Sequence, residues 1–241
     1  MKTMNDLEKA NAFYGEAQDR MMLIPNYYLW IYSAFSDYIK GNVLEVGAGA
    51  GHFMPCYLKH VDHVYALDHN PMLTHHIEER FDSVKVSSVT ADLCGDIGAL
   101  IHGEMDVVIA LDVFEHFDDD GALVARTAEL LATGGFLLLK VPAQSDLFGH
   151  TDRASGHFRR YDPEILRKVM RKAGLEEVSL KFFNRLGAFV YRLRRNRDTN
   201  FSKTFNPLVL RVINLTIPIV AAIDRIMPGK GLSLIGIYRK P

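Results

Sequence analysis

Cysteine is scarce in this chain, and so is net charge. Cys56 and Cys94 are the two cysteines, too far apart for a metal knuckle. They read as reduced, buried small hydrophobes of a reducing compartment rather than a disulfide framework. Lys and Arg number 28 against 29 acidic residues, a net charge of −1, so no global field argues for a nucleic-acid partner. The opening MKTMNDLEKA lacks the apolar core of a signal peptide, which makes the cytoplasm the expected location. Residues 207–223 are apolar but broken by Arg211, Asn214, Thr216 and Pro218. They read as too short and too polar to span a membrane, leaving a lid, a dimer surface or an interfacial helix open. There is no internal repeat, and the dinucleotide fingerprint G-x-G-x-x-G is also missing: His52 stands where its last glycine would be.

What is present suits one α/β enzyme domain. The 241 residues, 48% of them hydrophobic, can bury a single sizeable core. Two helices are expected at 6–20 and 26–40, parted by Pro25 and closed by Gly41. From 43 to 141 short apolar runs alternate with helical patterns: strands at 43–46, 63–67, 85–90, 106–111 and 135–141, helices at 52–60, 71–80, 95–101 and 118–131. Such alternation implies a parallel sheet with right-handed crossovers. A loop at 143–162, a helix at 163–173 and strands at 175–183 and 232–239 complete the pattern. Asp162 before Pro163 reads as a helix N-cap. Residues 181–211 carry eight basic side chains against one acid, Asp198, which reads as a solvated helix face or as a surface for an anionic substrate, a phospholipid layer or RNA.

The centre of the pattern is Val43-Leu44-Glu45-Val46-Gly47-Ala48-Gly49-Ala50-Gly51, a buried strand running into alternate glycines. Glycines at a strand-to-helix turn let the backbone approach a ligand closely. This stretch resembles the first motif of the class I S-adenosylmethionine-dependent methyltransferases. The later runs ending at Asp68, at Asp92, at Asp112 and at Pro142 match that family's second to fifth strands in type and order. The likeness covers about residues 40–183 and is closest to small-molecule methyltransferases of the type 11 and 12 groups. It implies a Rossmann-like, doubly wound, mostly parallel seven-stranded sheet, with the last strand antiparallel between the fifth and sixth. One domain, 1–241, would then divide into N-terminal cap helices (1–40), a cofactor-binding core (41–183), a helical cap insertion (184–230) and the final strand (231–241).

The same resemblance implies the cofactor S-adenosylmethionine, with S-adenosylhomocysteine as product, and assigns its contacts. Glu45 would face the methionyl ammonium across the turn of Gly47, Ala48, Gly49 and Gly51. Asp68, 21 residues after Gly47, would accept from the ribose diol, with His69 and Met72 along the ribose and adenine edge. Asp92 and Leu93 would hold the adenine, and Leu111 and Asp112 would close the site after the fourth strand. Asp68 could instead cap the helix that starts at Asn70-Pro71.

Candidate catalytic groups are Glu115, His116 and His157. Asp112-x-x-Glu115-His116 resembles the E-x-x-E-H pattern of ubiquinone-biosynthesis O-methyltransferases, where the acidic and His groups have been assigned to a divalent metal; widespread metal-free relatives carry a similar pattern beneath the cofactor, and no metal is expected here. In the loop Gly149–Asp162, His157, Arg160 and Tyr161 either orient an acceptor or brace the loop. Tyr14, with Phe13 and the Met21-Met22 pair, is a candidate to cover the site. The expected reaction is methyl transfer to oxygen on a small or modular metabolite. The rivals are a peptide, protein or RNA acceptor and a catalytically silent cofactor-binding subunit. Peripheral membrane contact would run through 184–228, and the chain would be a monomer or homodimer.

Overall fold

A computed structural model describes residues 20–95, 97, 100–194 and 206–241. Seven strands form one sheet: β1 (Asn42–Val46), β2 (His63–Asp68), β3 (Val86–Thr90), β4 (Met105–Leu111), β5 (Leu131–Pro142), β6 (Glu176–Phe183) and β7 (Ser233–Arg239). Their order is β3-β2-β1-β4-β5-β7-β6, and β7 runs antiparallel to both of its neighbours. The strand order turns back between β1 and β4, which pair in parallel from Val43↔Val107 to Val46↔Ala110. In doubly wound sheets the crevice outside the carboxyl ends at such a switch point receives ligands.

The central strands are buried on both faces, because each face is covered. Leu44, Val46, Val108 and Ala110 pack with helices α3 (Asp120–Leu130) and α5 (Pro163–Lys172). The alternate residues Val43, Val107 and Ile109 pack on the opposite side with Ile31 and Phe35 of helix α1 (Pro25–Phe35) and Ile77 of helix α2 (Pro71–Arg80). The two-residue period of a strand divides one apolar run between two cores. A short helix, α4 (His150–Ala154), lies in the loop after β5.

Several expectations need correction. Residues 52–60 form two 3₁₀ turns, 54–56 and 58–60, rather than an α-helix. Pro55 lacks an N–H to continue an α ladder, and i→i+3 bonds such as Tyr57 N–H to Met54 O take over. The 26–40 helix ends at Phe35, and Gly41, with φ +67°, opens β1 instead. Asp162 occupies its N-cap position, but its carboxylate accepts from the Ser145 hydroxyl and not from the helix. Cys94 is exposed rather than buried. The 6–20 helix lies almost wholly outside the described residues, and the 95–101 helix falls partly on residues outside them.

Among the described residues, the connection from β6 to β7 holds helices α6 (Arg185–Arg194) and α7 (Pro207–Ile226). The reading of 207–223 as too short and too polar needs correction in its terms: α7 is 20 residues long and contains an 18-residue window of mean hydropathy 1.7, enough by length and composition alone to cross a membrane. It lies against α1 through Leu210, Ile217 and Ile24, with Tyr27 and Trp30 packed beside them. Pro218 sits inside the helix and has no N–H to offer the carbonyl four residues back. That carbonyl, Asn214 O, accepts instead from Asn26 Nδ2 at 2.9 Å.

Candidate active site

The glycine turn leaves β1 at the switch point. Gly47, Gly49 and Gly51 all have φ between +56° and +72°, a region that costs L-residues with a Cβ. At Gly47 a Cβ would meet Val113 Cγ2 at 2.7 Å, so this backbone both needs and exploits the missing side chain. Ala48 donates to Leu67 O at 3.0 Å and packs inward. Asp68, 5% exposed, ties the turn to β2: its carboxylate accepts Gly49 N–H and Asn70 N–H, each at 2.9 Å. The cap of α2 is Asn70, whose side chain accepts from Met72 N–H. Asp68 is thus a brace of the cofactor turn, with lone pairs remaining on both oxygens for further donors.

Glu45 is buried and accepts from the Tyr57 hydroxyl. Burial raises its carboxyl to about 7, and the Tyr57 hydrogen bond opposes that rise. The sequence expectation placed Glu45 toward an ammonium group; the structure gives it a phenolic partner from the 3₁₀ segment.

Past each of the first four strands the chain surfaces. Gly47, His69, Asp92 and Asp112 are all exposed, although β1, β2 and β4 are mostly buried. Met72 is also exposed, Leu93 is buried and Leu111 is intermediate. Asp92 Oδ1 accepts from Cys94 N–H at 2.9 Å. The donor set fits a nucleoside-bearing sulfonium ligand: a backbone cradle without side chains, then carboxylates along the edge able to accept from hydroxyls and an amine.

Sequence reasoning missed the partner of Asp112. Lys140 of β5, almost fully buried, donates through Nζ to the Asp112 carboxylate, and its Nζ lies 5.8 Å from the Tyr27 ring centroid. Burial pushes the Lys140 ammonium down, but Asp112 and Tyr27 outweigh it and the net direction is up. A lysine in the otherwise apolar run Phe136–Val141 was the available signal. Asp112 itself has φ +54°, an uncommon geometry for a residue other than glycine and one Asp tolerates better than most.

Glu115, His116 and His157 are brought together, with one ligand atom from each lying within 4.8 Å of the others. The imidazoles of His116 and His157 stack edge to face at 4.7 Å. Glu115 is 0% exposed, and neither carboxyl oxygen has a hydrogen-bond partner among the described residues. Burial, with Asp112 adding to it, holds Glu115 well above the usual carboxylate range. Burial and then His157 lower His116 to about 4. His116 is therefore neutral and able to accept a proton. His157 Nδ1 lies 3.3 Å from Asp152 Oδ1.

Of the three loop candidates, Arg160 and Tyr161 have their polar ends engaged within the protein. Arg160 is buried, donates to Asp152 Oδ1 at 2.8 Å and lies over the Tyr191 ring at 4.6 Å. Tyr161 is buried with its hydroxyl on Asp120 Oδ2 at 2.8 Å. Neither presents its polar end to an acceptor, because each is consumed in tying the loop to α3, α4 or α6. Tyr14 lies outside the described residues.

Comparison with known proteins agrees with this architecture. A methyltransferase-domain family matches residues 27–180. A ubiquinone biosynthesis O-methyltransferase of Thiobacillus denitrificans is 30% identical over 141 residues, covering 52% of this chain and 59% of that protein. The chain therefore spans less than two thirds of the length of that curated relative. Among solved structures, a methyltransferase in complex with a Haloferax volcanii methyltransferase activator superposes with a TM-score of 0.63, at 14% identity over 100% of this chain and 98% of the other. An Archaeoglobus fulgidus S-adenosylmethionine-dependent methyltransferase gives a TM-score of 0.57 at 19% identity, over 87% and 91%.

Proposed function

The chain belongs to the class I S-adenosylmethionine-dependent methyltransferase family, and on that premise we propose that it methylates an oxygen of a small or modular acceptor. The carrying observation is the edge formed by Gly47, His69, Asp92 and Asp112, exposed in a row past the first four strands beside a turn held by Asp68. The 30% identical O-methyltransferase supports oxygen as the acceptor atom.

When bound, S-adenosylmethionine supplies an activated methyl group, and alignment of nucleophile with that carbon is the main demand on the protein. Gly47 and Gly49 would admit the methionyl part, while Asp68 and Asp92 would accept from ribose and adenine. Asp112, fixed by Lys140, orders the wall after β4. His116 is the proton acceptor in this reading: neutral at pH 7, it takes the proton of a hydroxyl acceptor as the oxygen attacks. Its low pKa limits that role to acceptors whose proton is lost during attack rather than before it. Glu115, fully buried, packs beneath the site. Helices α1, α6 and α7 would serve as the cap that excludes water, since α1 sets Tyr27 against Lys140 and α6 sets Tyr191 against Arg160.

The test is calorimetric titration with S-adenosylmethionine, followed by transfer of its labelled methyl to a panel of hydroxyl, carboxyl and amine acceptors. Binding with transfer to oxygen supports the proposal. Binding without transfer to any extract fraction would favour a silent subunit, and transfer to RNA or protein would overturn the small-acceptor assignment.

A further inference from the structure

Helix α7 is amphipathic the wrong way round for a helix that ends at its own protein. Its anchored face is Leu210, Ile217 and Asp224, spaced by seven and all buried. On a 3.6-residue period the opposite face carries Leu208, Val212, Leu215, Ile219 and Ile226, each 61–84% exposed. Val209, Ile213 and Ile223 widen that stripe and are also exposed. On α6, Phe189, Val190 and Leu193 add further exposed apolar side chains. Isolated exposed apolar residues are ordinary, but a contiguous stripe marks an interaction surface.

The charge around the stripe has one sign. Arg192, Arg211, Arg225 and Lys230 are exposed, whereas the acid of α7, Asp224, is buried and bonded to Arg185 and its backbone N–H. Among the described side chains of residues 185–230, Arg185, Arg192, Arg211, Arg225 and Lys230 are basic and Asp224 is acidic, in a chain whose net charge is −1. That segregation opposes a second copy on this face, because two such surfaces would bring like charge together. It matches an apolar layer under anionic headgroups.

We infer that α7, flanked by α6, docks this protein peripherally on membrane surfaces rich in anionic phospholipid. The helix lies along the interface rather than crossing it. Its chain leaves β6 and returns to β7 of the same sheet, so a single crossing would put one end on the wrong side. Asn26, Ile24 and Arg185 also hold it along the domain. This inference rests on the α6–α7 surface and not on the proposed reaction.

Co-sedimentation with vesicles tests it, using phosphatidylcholine alone and phosphatidylcholine mixed with phosphatidylglycerol. The full chain should pellet with the mixed vesicles and not with the neutral ones, and should be released steeply as salt rises. The triple variant Val212→Ser, Leu215→Ser, Ile219→Ser changes only exposed positions. It should keep the wild-type melting temperature and lose vesicle affinity by about ten-fold or more. Arg211→Glu with Arg225→Glu should weaken binding to the mixed vesicles alone, which guards against misfolding of the serine variant. Absence of pelleting with anionic vesicles overturns the inference, as does undiminished binding by both variants. A stable dimer that the serine variant dissolves would also overturn it, handing the face to a second copy.

Discussion

Asn26 and Asn214 clasp helices α1 and α7 at the point where Pro218 opens the helix. Asn26 N–H donates to Asn214 Oδ1 at 2.8 Å and Asn26 Nδ2 donates to the freed Asn214 carbonyl at 2.9 Å. Replacing Asn26 with Ala should destabilise the protein by about 1–2 kcal/mol, the worth of partly buried hydrogen bonds whose partner is left unmade. In a Pro218→Ala background the helix can satisfy that carbonyl itself, so the loss should shrink. Urea unfolding of the four proteins of this cycle checks the coupling, and equal losses in both backgrounds would dissolve the link.

Lys140 and Asp112 form an asymmetric pair, the ammonium buried and the Asp112 side chain 45% exposed. Removing the carboxylate strands a buried cation, whereas removing the lysine leaves a carboxylate that water can reach. Asp112→Ala should therefore cost about 1–3 kcal/mol, below the full buried-pair penalty because of solvent screening. Lys140→Met should cost less. Chemical denaturation giving the reverse order would contradict this placement of the charge.

Asp68→Ala should weaken S-adenosylmethionine binding by about ten-fold or more, and it should also destabilise the fold. Each of the two backbone N–H groups on its carboxylate is a hydrogen bond to a charged acceptor, worth about 1.5–3 kcal/mol. A ribose contact alone, which is all the motif implies, would leave stability unchanged. Calorimetry and thermal melts on the same variant separate the two.

Glu45 makes stability fall as pH rises. Its folded-state carboxyl is raised to about 7, so the folded form holds the proton more tightly than the unfolded chain. The loss begins near the unfolded value of about 4.3 and is complete above about 7, amounting to about 3–4 kcal/mol. Burial lowers His116 to about 4, which acts oppositely: that stability is present above about 6.5 and is lost as pH falls toward 4. Glu45→Gln should flatten the first limb and leave the second, as read from urea midpoints between about pH 4 and 8.

A chelator should leave methyl transfer unchanged, and added Mg²⁺ or Zn²⁺ should not stimulate it. Glu115 is sealed from solvent, and burial disfavours its charged form, which opposes its use as a metal ligand. His116→Ala should lower the rate by up to about 10²–10⁴-fold for a hydroxyl acceptor and far less for a carboxylate. Activity lost to chelator and restored by metal would assign Glu115, His116 and His157 to a cation.

The sequence by itself determined the sheet and the turn at its centre. A strand buried on both faces must be written as a continuous apolar run, and a positive-φ turn packed as tightly as the one at Gly47 calls for glycine. Both constraints are local, so Val43–Gly51, the order of the strands and the acids at their ends were legible without coordinates. The tertiary structure alone decided what each polar group touches. Whether Asp68 faces a ribose or the turn's own N–H groups, whether Tyr161 reaches an acceptor or Asp120, and that Lys140 meets Asp112 are contacts between distant segments. The same holds for α7. Its composition was visible, but which of its faces is anchored depends on Asn26, Ile24 and Arg185 from elsewhere in the chain, and helical period cannot say which side of an almost wholly apolar helix meets protein.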